Sequence, residues 1–400
     1  MTFGIIKERK TPPDRRVVFS PDELTRLQAQ FPQANIKVES SDIRVFSDET
    51  YLEKGFEVTT DMDDCDVLIG VKEVPIEALI PNKKYFFFSH TIKKQPYNRK
   101  LLKAILDKNI ELFDHETIVD EKNHRLIGFG RYAGIVGAYN GIRAFGLKYD
   151  LFDIAKAETL PDQKALIERL RKNRLPNIKI VLTGRGKVAY GAKEMLDGMK
   201  LKEVSVENYL TKSYDEPVYT FIDVHDYNKR KDGGEFDKKE FYSQPELYES
   251  NFERFAEVSD MLITGHFYGN GAPVILSREM LRSPKCKLKV VADVSCDIDG
   301  PIACTIKPST IAEPNYGYLP SEHKEVAFNH PAAITVMAVD NLPCELPKDA
   351  SEGFGEVFLE RVIPAFFNND ADGILQRAKI TENGKLTERF AYLQSYVDGK

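Results

Sequence analysis

The chain has 400 residues, more than the ~250–300 over which one hydrophobic core usually grows, so two domains are expected. Apolar residues make up 42% and charged residues 30%, a composition that excludes disordered, collagen-like and coiled-coil chains. The net charge is −6, with Lys and Arg spread along the chain, so no basic face for nucleic acid is expected.

Met1–Lys10 has only a brief apolar stretch before its charges, which is not a secretory leader, so a cytoplasmic chain is expected. Ala332–Val339, the most apolar later run, is far short of the ~20 residues that span a bilayer, so no membrane partner is expected. The five cysteines lack a Cys-x-x-Cys pair, and no metal site is expected.

Asp14-Arg15-Arg16 precedes Val17-Val18-Phe19 and the helix start Ser20-Pro21-Asp22-Glu23, a capping box. An arginine there either grips a substrate carboxylate bidentately or belongs to a surface charge cluster. Short apolar runs then alternate with amphipathic stretches. Asp66–Val71, Tyr85–Phe88 and Ile110–Phe113 read as strands, and Lys100–Lys108 reads as a helix. This alternation predicts βαβ units, whose parallel sheets present ligand sites at the C-terminal ends of their strands. Lys72-Glu73 follows the first run, Ser89-His90-Thr91 the second and Asp114-His115-Glu116 the third. A desolvated lysine and a histidine both titrate near neutrality, so Lys72 and His90 form a candidate acid–base pair. His115 and His124 lack zinc spacing and are read as structural or surface residues.

Tyr132–Lys148 is apolar, with Gly134, Gly137, Gly141 and Gly146. It reads as the connection between domains or, equally, as a buried helix within one. Ile178–Leu182 is a strand that leads into Thr183-Gly184-Arg185-Gly186-Lys187-Val188-Ala189, a G-x-G-x-x-A match. Gly184 permits a tight turn, Gly186 lets backbone amides approach a pyrophosphate, and Ala189 lets helix pack on strand. The helix Val188–Met195 follows. A strand over Lys202–Val206 then ends at Glu207, near the ~20-residue offset of the carboxylate that meets the adenosine ribose. Glu207 either fills that role, favouring NAD, or is an ordinary exposed strand-end residue. A Lys or Arg of the following segment would instead accept the 2′-phosphate of NADP. Tyr214–Phe255 is highly charged and reads as an insertion, either a solvated excursion or a lid. Pro331–Leu342 is expected to lead back into the first domain.

Taken together, these segments resemble a known family. Gly4-Ile5-Ile6-Lys7-Glu8 with Arg15–Pro21, Gly70–Pro75, Phe88–Lys93 and Phe129–Gly134 are similar to the lysine-forming saccharopine dehydrogenases, within the alanine dehydrogenase and transhydrogenase α-subunit group. Val291–Asp297 and Ile380–Gly384 resemble the lysine–2-oxoglutarate reductase half of the bifunctional animal and plant enzyme. The resemblance implies two Rossmann-like α/β domains with parallel sheets separated by an active-site cleft. The first would comprise 1–135 plus 330–400, and the cofactor domain 136–329 with an insertion near 214–255. It further implies an oxidoreductase that uses NAD or NADP to interconvert saccharopine with L-lysine and 2-oxoglutarate. Lys72 and His90 would be the catalytic pair, tuned by Glu73 and Glu116. Arg16 and Lys93 would hold substrate carboxylates. Gly184, Arg185, Gly186, Ala189 and Glu207 would hold the cofactor, with Asp340 near the nicotinamide. The expected partners are small amino-acid and 2-oxo-acid substrates, and a homo-oligomer is left open. An alanine-type dehydrogenase and a non-catalytic NAD(P)-binding sensor are the alternatives.

Overall fold

A computed structural model describes residues 1–399, which divide into two compact units, 1–129 with 347–399 and 130–346. Unit 1 is built on a wholly parallel six-stranded sheet. Its strands are β1 (Thr2–Ile5), β2 (Asn35–Glu39), β3 (Glu57–Thr59), β4 (Val67–Ile69), β5 (Lys84–Phe87) and β6 (Glu111–Asp114), in the order β3-β2-β1-β4-β5-β6. The central strands are buried on both faces, which is why they read as continuous apolar runs rather than alternating ones. Phe86 and Phe113 stack face to face at 4.5 Å on neighbouring strands, and Phe358 of the C-terminal helix Pro347–Arg361 meets Phe86 edge-on. The helix Pro21–Gln30 opens with Ser20 and Glu23 in a reciprocal capping box, as the spacing predicts. The chain's order reverses between β1 and β4. There the loops after those strands part and leave room for a ligand.

Unit 2 carries β7 (Lys179–Thr183), β8 (Lys202–Glu203), β9 (Val218–Ile222), the hairpin β10 (Asn228–Arg230) and β11 (Tyr248–Ser250), β12 (Met261–Thr264), β13 (Val290–Asp293), β14 (Asn315–Leu319), β15 (Lys324–Val326) and β16 (Ile334–Met337). Its main sheet runs β15-β14-β16-β13-β12-β7-β9-β8, parallel except at β14, which pairs antiparallel with both β16 and β15. The reversal of chain order falls between β7 and β12.

Of the two readings of Tyr132–Lys148 the structure bears out the second, and Gly130–Lys148 is a buried helix of unit 2. It crosses the helix Lys187–Gly198 so closely that a Cβ on Gly134 would lie 1.8 Å from the Val188 carbonyl oxygen, and one on Gly191 1.9 Å from that of Arg131. The first boundary therefore falls after Phe129 rather than 135. The second falls after Leu346 rather than 329, because Ile334–Met337 is a buried strand between β13 and β14 and does not lead out of the unit. Tyr214–Phe255 is not simply a solvated excursion. It contains β9, all five of whose residues are buried, and Phe241, Tyr248, Phe252 and Phe255 join the core of unit 2. Among the described residues no helix is long and apolar enough to cross a membrane.

Candidate functional site

In unit 1 the ladder Gly70 N to Phe86 O (2.9 Å) and Phe88 N to Val71 O (2.9 Å) extends β4 and β5 in step, so Lys72 and His90 emerge from adjacent strand ends. Asp114, at the end of β6, fixes the loop between them. Its Oδ2 accepts the amides of Ser89 and His90, each at 3.0 Å, and the Ser89 hydroxyl, while Oδ1 accepts the Glu116 amide at 2.7 Å. These bonds hold His90 in the left-handed region, at φ +55°, which costs a non-glycine residue roughly 1–2 kcal/mol. The backbone is thus bent to present one imidazole.

His90 Nδ1 lies 3.1 Å from Glu116 Oε2, and Lys93 Nζ lies 3.1 Å from Oε1 of the same carboxylate. Burial opposes ionisation of Glu116, but the His90 hydrogen bond and the Lys93 charge outweigh it and draw its pKa down to about 2. An ionised Glu116 can only accept, so Nδ1 carries the proton and Nε2 has the lone pair when the ring is neutral. Lys93 Nζ also lies 3.2 Å from Nδ1, but its ion pair is with the carboxylate. His115, by contrast, is fully buried among Phe86, Phe88, Phe354 and Phe358, with Nε2 donating to the Gly70 carbonyl at 2.7 Å. Burial drives its pKa down to about 3, the behaviour of a structural histidine.

The reversal point of unit 1 gathers residues that sequence reasoning missed as functional. Glu8, following β1, accepts the amides of Val71 at 2.7 Å and Lys72 at 2.8 Å. Burial, with the charge of Asp14 adding to it, raises its carboxyl to about 8. Asp14 takes the Nε and Nη2 edge of Arg16 at 3.0 and 2.6 Å, and both side chains are buried. Burial would raise Asp14, but the charge and hydrogen bonds of Arg16 prevail, with a contribution from Lys72, and hold it well below the usual carboxylate range. Arg16 therefore lies beside the Lys72 loop, with one bidentate edge already engaged and its guanidinium 4.2 Å from the centre of the Phe129 ring. Glu73 turns aside to pair with Lys10 at 3.2 Å.

In unit 2, Gly184 has φ +94°, and a Cβ there would stand 2.4 Å from the Gly265 carbonyl oxygen, so only glycine makes this turn unstrained. Gly186 is the N-cap of the twelve-residue helix Lys187–Gly198, and a Cβ there would meet nothing within 4 Å. Ala189 is fully buried and closes on Gly265, as the fingerprint requires. A tight turn, open space and a helix N-terminus together fit a dinucleotide pyrophosphate. Across the reversal point, Thr183 Oγ1 meets His266 Nδ1 at 2.7 Å, while the buried Nε2 has no partner among the described residues. Burial lowers His266 to about 4. Asp340 lies exposed just beyond β16, on the same edge of the sheet.

Glu207 is the correction. β8 is only two residues long and lies at the sheet edge, paired with β9 alone, and Glu207 sits exposed in the short helix Val206–Thr211. The strand beside β7 is β9, in the register Thr183↔Ile222, with Gly184 N donating to Ile222 O at 2.9 Å. The carboxylate level with the glycine turn is therefore Asp223. The available signal was the apolar run Val218–Ile222 ending in an aspartate, hidden inside a segment read as an insertion.

Two doubly wound α/β units, one with a glycine turn that fits a dinucleotide and the other with an ion-paired imidazole at its strand ends, place the chain among the two-domain Rossmann-like proteins. The alanine dehydrogenase/PNT N-terminal domain matches residues 4–136 and the C-terminal domain of the same family matches residues 177–389. The chain belongs to the alanine dehydrogenase/PNT family. It is 28% identical over 439 residues to the alpha-aminoadipic semialdehyde synthase of Arabidopsis thaliana, covering 98% of this chain and 41% of that protein. The mitochondrial protein of that name from Rattus norvegicus is 28% identical over 417 residues, covering 91% and 45%. The chain thus spans less than half the length of these relatives. The saccharopine dehydrogenase [NAD(+), L-lysine-forming] of Yarrowia lipolytica is 23% identical over 354 residues, covering 82% of each chain. Among solved structures, an L-alanine dehydrogenase aligns with a TM-score of 0.66 at 17% identity, over 100% of this chain and 99% of that one. A transhydrogenase from Sinorhizobium meliloti aligns at 0.55 and 15%, over 97% and 99%. These two share the fold.

Proposed function

We propose that this chain interconverts saccharopine with L-lysine and 2-oxoglutarate, with Lys72 and His90 moving the protons. The observation that carries this reading is the His90 imidazole, its Nδ1 held 3.1 Å from an ionised Glu116 beside the strand end that delivers Lys72. The names of the fungal relatives support the choice of substrate. A bound nicotinamide would accept or supply the hydride. In the oxidative direction Lys72, in its neutral form, takes the proton of the secondary amine as the carbon loses hydride and the C=N bond forms. His90 Nε2 then takes a proton from the water that adds to the imine carbon. Lys72 gives its proton to the imine nitrogen as the water adds, and the carbinolamine then collapses as His90 gives its proton to the same nitrogen and Lys72 takes the hydroxyl proton, breaking the C–N bond and releasing lysine and 2-oxoglutarate. Arg16 and Lys93 would hold substrate carboxylates. Glu116 keeps His90 in the tautomer its role needs, and Asp14 keeps a negative charge near Lys72.

The test is NAD(P)H oxidation with lysine and 2-oxoglutarate, against pyruvate and ammonia. A faster rate with the first pair is expected. A faster rate with the second would make this an alanine-type dehydrogenase, and dinucleotide binding without turnover on either would make it a binding protein.

A further inference from the structure

The position beside the glycine turn holds a charge arrangement that the fingerprint alone does not specify. Asp223 Oδ1 accepts the Val224 amide at 2.7 Å, and Oδ2 is paired with Lys238 Nζ at 3.0 Å. His225 Nδ1 stands 4.0 Å from the same oxygen, and Asp226, which accepts the Asp223 amide at 2.8 Å, lies 3.6 Å from the other ring nitrogen. Arg185 leans over the Phe221 ring at 3.8 Å and donates to the Phe221 carbonyl at 2.6 Å, at the end of the same strand. Lys238 and His225 therefore face the carboxylate level with Gly184, a second carboxylate, Asp226, stands beside it, and Arg185 lies at the end of the same strand. Lys238 is not loosely placed. It opens the helix Lys238–Ser243, whose Phe241 packs on Phe236 and Tyr248, and whose Glu240 is bound by Arg230 and the Tyr248 hydroxyl. Its side chain is still 55% exposed, so it can leave Asp223 without disturbing the core.

An unpaired carboxylate here would hydrogen-bond a ribose 2′-hydroxyl and repel a 2′-phosphate. With Lys238 docked on it, the charge of Asp223 is offset, and the lysine can turn from carboxylate to phosphate. We propose that the Asp223–Lys238 pair fits this chain to bind both NAD(H) and NADP(H), with Lys238 as the group that admits the 2′-phosphate. The inference rests on the dinucleotide reading of unit 2 and names the ligand range of that same site.

The experiment is fluorescence titration of NADH and NADPH against the full chain and its Lys238→Met, Lys238→Glu and Asp223→Asn variants, with melting curves to confirm that each folds. The wild type is expected to bind the two nucleotides within about tenfold of each other. Removing one charge a few ångströms from a phosphate should cost NADPH about tenfold relative to NADH in Lys238→Met, and more in Lys238→Glu. Asp223→Asn should shift the ratio the other way. A Lys238→Met ratio within about twofold of wild type would overturn the proposal while leaving the dinucleotide site standing. Failure of the wild type to bind either nucleotide would overturn the site itself, and the proposal with it.

Discussion

The two units have the same working edge and opposite ways of using it. Each is built on parallel strands whose chain order turns back at a central point, between β1 and β4 in unit 1 and between β7 and β12 in unit 2. In unit 1 the loops at that edge carry Glu8, Asp14, Arg16 and Lys72, with His90 and Glu116 on the adjoining strands, a network of charge and shared protons. In unit 2 the turn after β7 at the corresponding edge is nearly bare, with Asp223, Lys238 and His266 beside it. Gly184, Gly186 and Gly265 give up side chains so that backbone can approach a ligand. One topology thus carries a charged network at one edge and a glycine turn at the other. The sheet supplies the location, and the residues supply the chemistry.

The sharpest way to break this comparison is to silence the charged edge alone. His90→Gln and Lys72→Met should each lower turnover by ~10²–10⁴-fold, the usual cost of losing a positioned acid or base. Dinucleotide titration of the same variants should be unchanged. Near-normal rates in both would place the chemistry elsewhere.

The bare edge can be divided in turn. Gly184→Ala meets the Gly265 carbonyl at an unfavourable φ and should destabilise unit 2 by ~1–3 kcal/mol, read as a lower melting temperature. Gly186→Ala meets nothing, so the melting temperature should hold while cofactor affinity falls about tenfold, the added methyl crowding the approaching phosphate. Equal melting losses in the two variants would mean that Gly186 is a structural glycine as well.

The buried carboxyls of unit 1 should show in its pH dependence. Glu8 is raised to about 8 by burial and by Asp14, so the folded state holds a proton that the unfolded chain releases near pH 4.5. Its contribution is complete below that value and is lost as pH rises toward 8. Glu23, raised to about 8 by burial, has the same sign. Glu116, drawn down to about 2, has the opposite one, with stability present above about pH 4.5 and lost as pH falls toward 2. Melting curves from pH 5 to 8 should therefore decline less steeply in Glu8→Gln than in wild type. An unchanged slope would show that Glu8 is already ionised in the folded protein.

The smallest effect belongs to Glu73. Its pair with the half-exposed Lys10 is of the kind worth ~0–1 kcal/mol, so Glu73→Gln should barely move the melting temperature. A change in rate larger than the change in stability would show that Glu73 reaches Lys72 during the reaction.

Much was legible in the sequence because it was local. Buried parallel strands appear as apolar runs, so β4 to β7 and the residues just after them, Lys72, His90, Glu116 and Gly184, could be located from a one-dimensional pattern. The capping box of Ser20 and Glu23 and the turn at Gly184 are set within a few residues by backbone sterics. What the sequence could not give was adjacency between strands. The order of β7, β9 and β8 decides which carboxylate stands beside the glycine turn, and that order depends on which strand buries more surface against β7. The two-residue β8 buries little and lies at the edge, so Glu207 is displaced and Asp223 takes the place. The same holds for Glu8 and Lys238, and for the glycines of Gly130–Lys148. Their partners lie tens of residues away, and only the packed sheets bring them together.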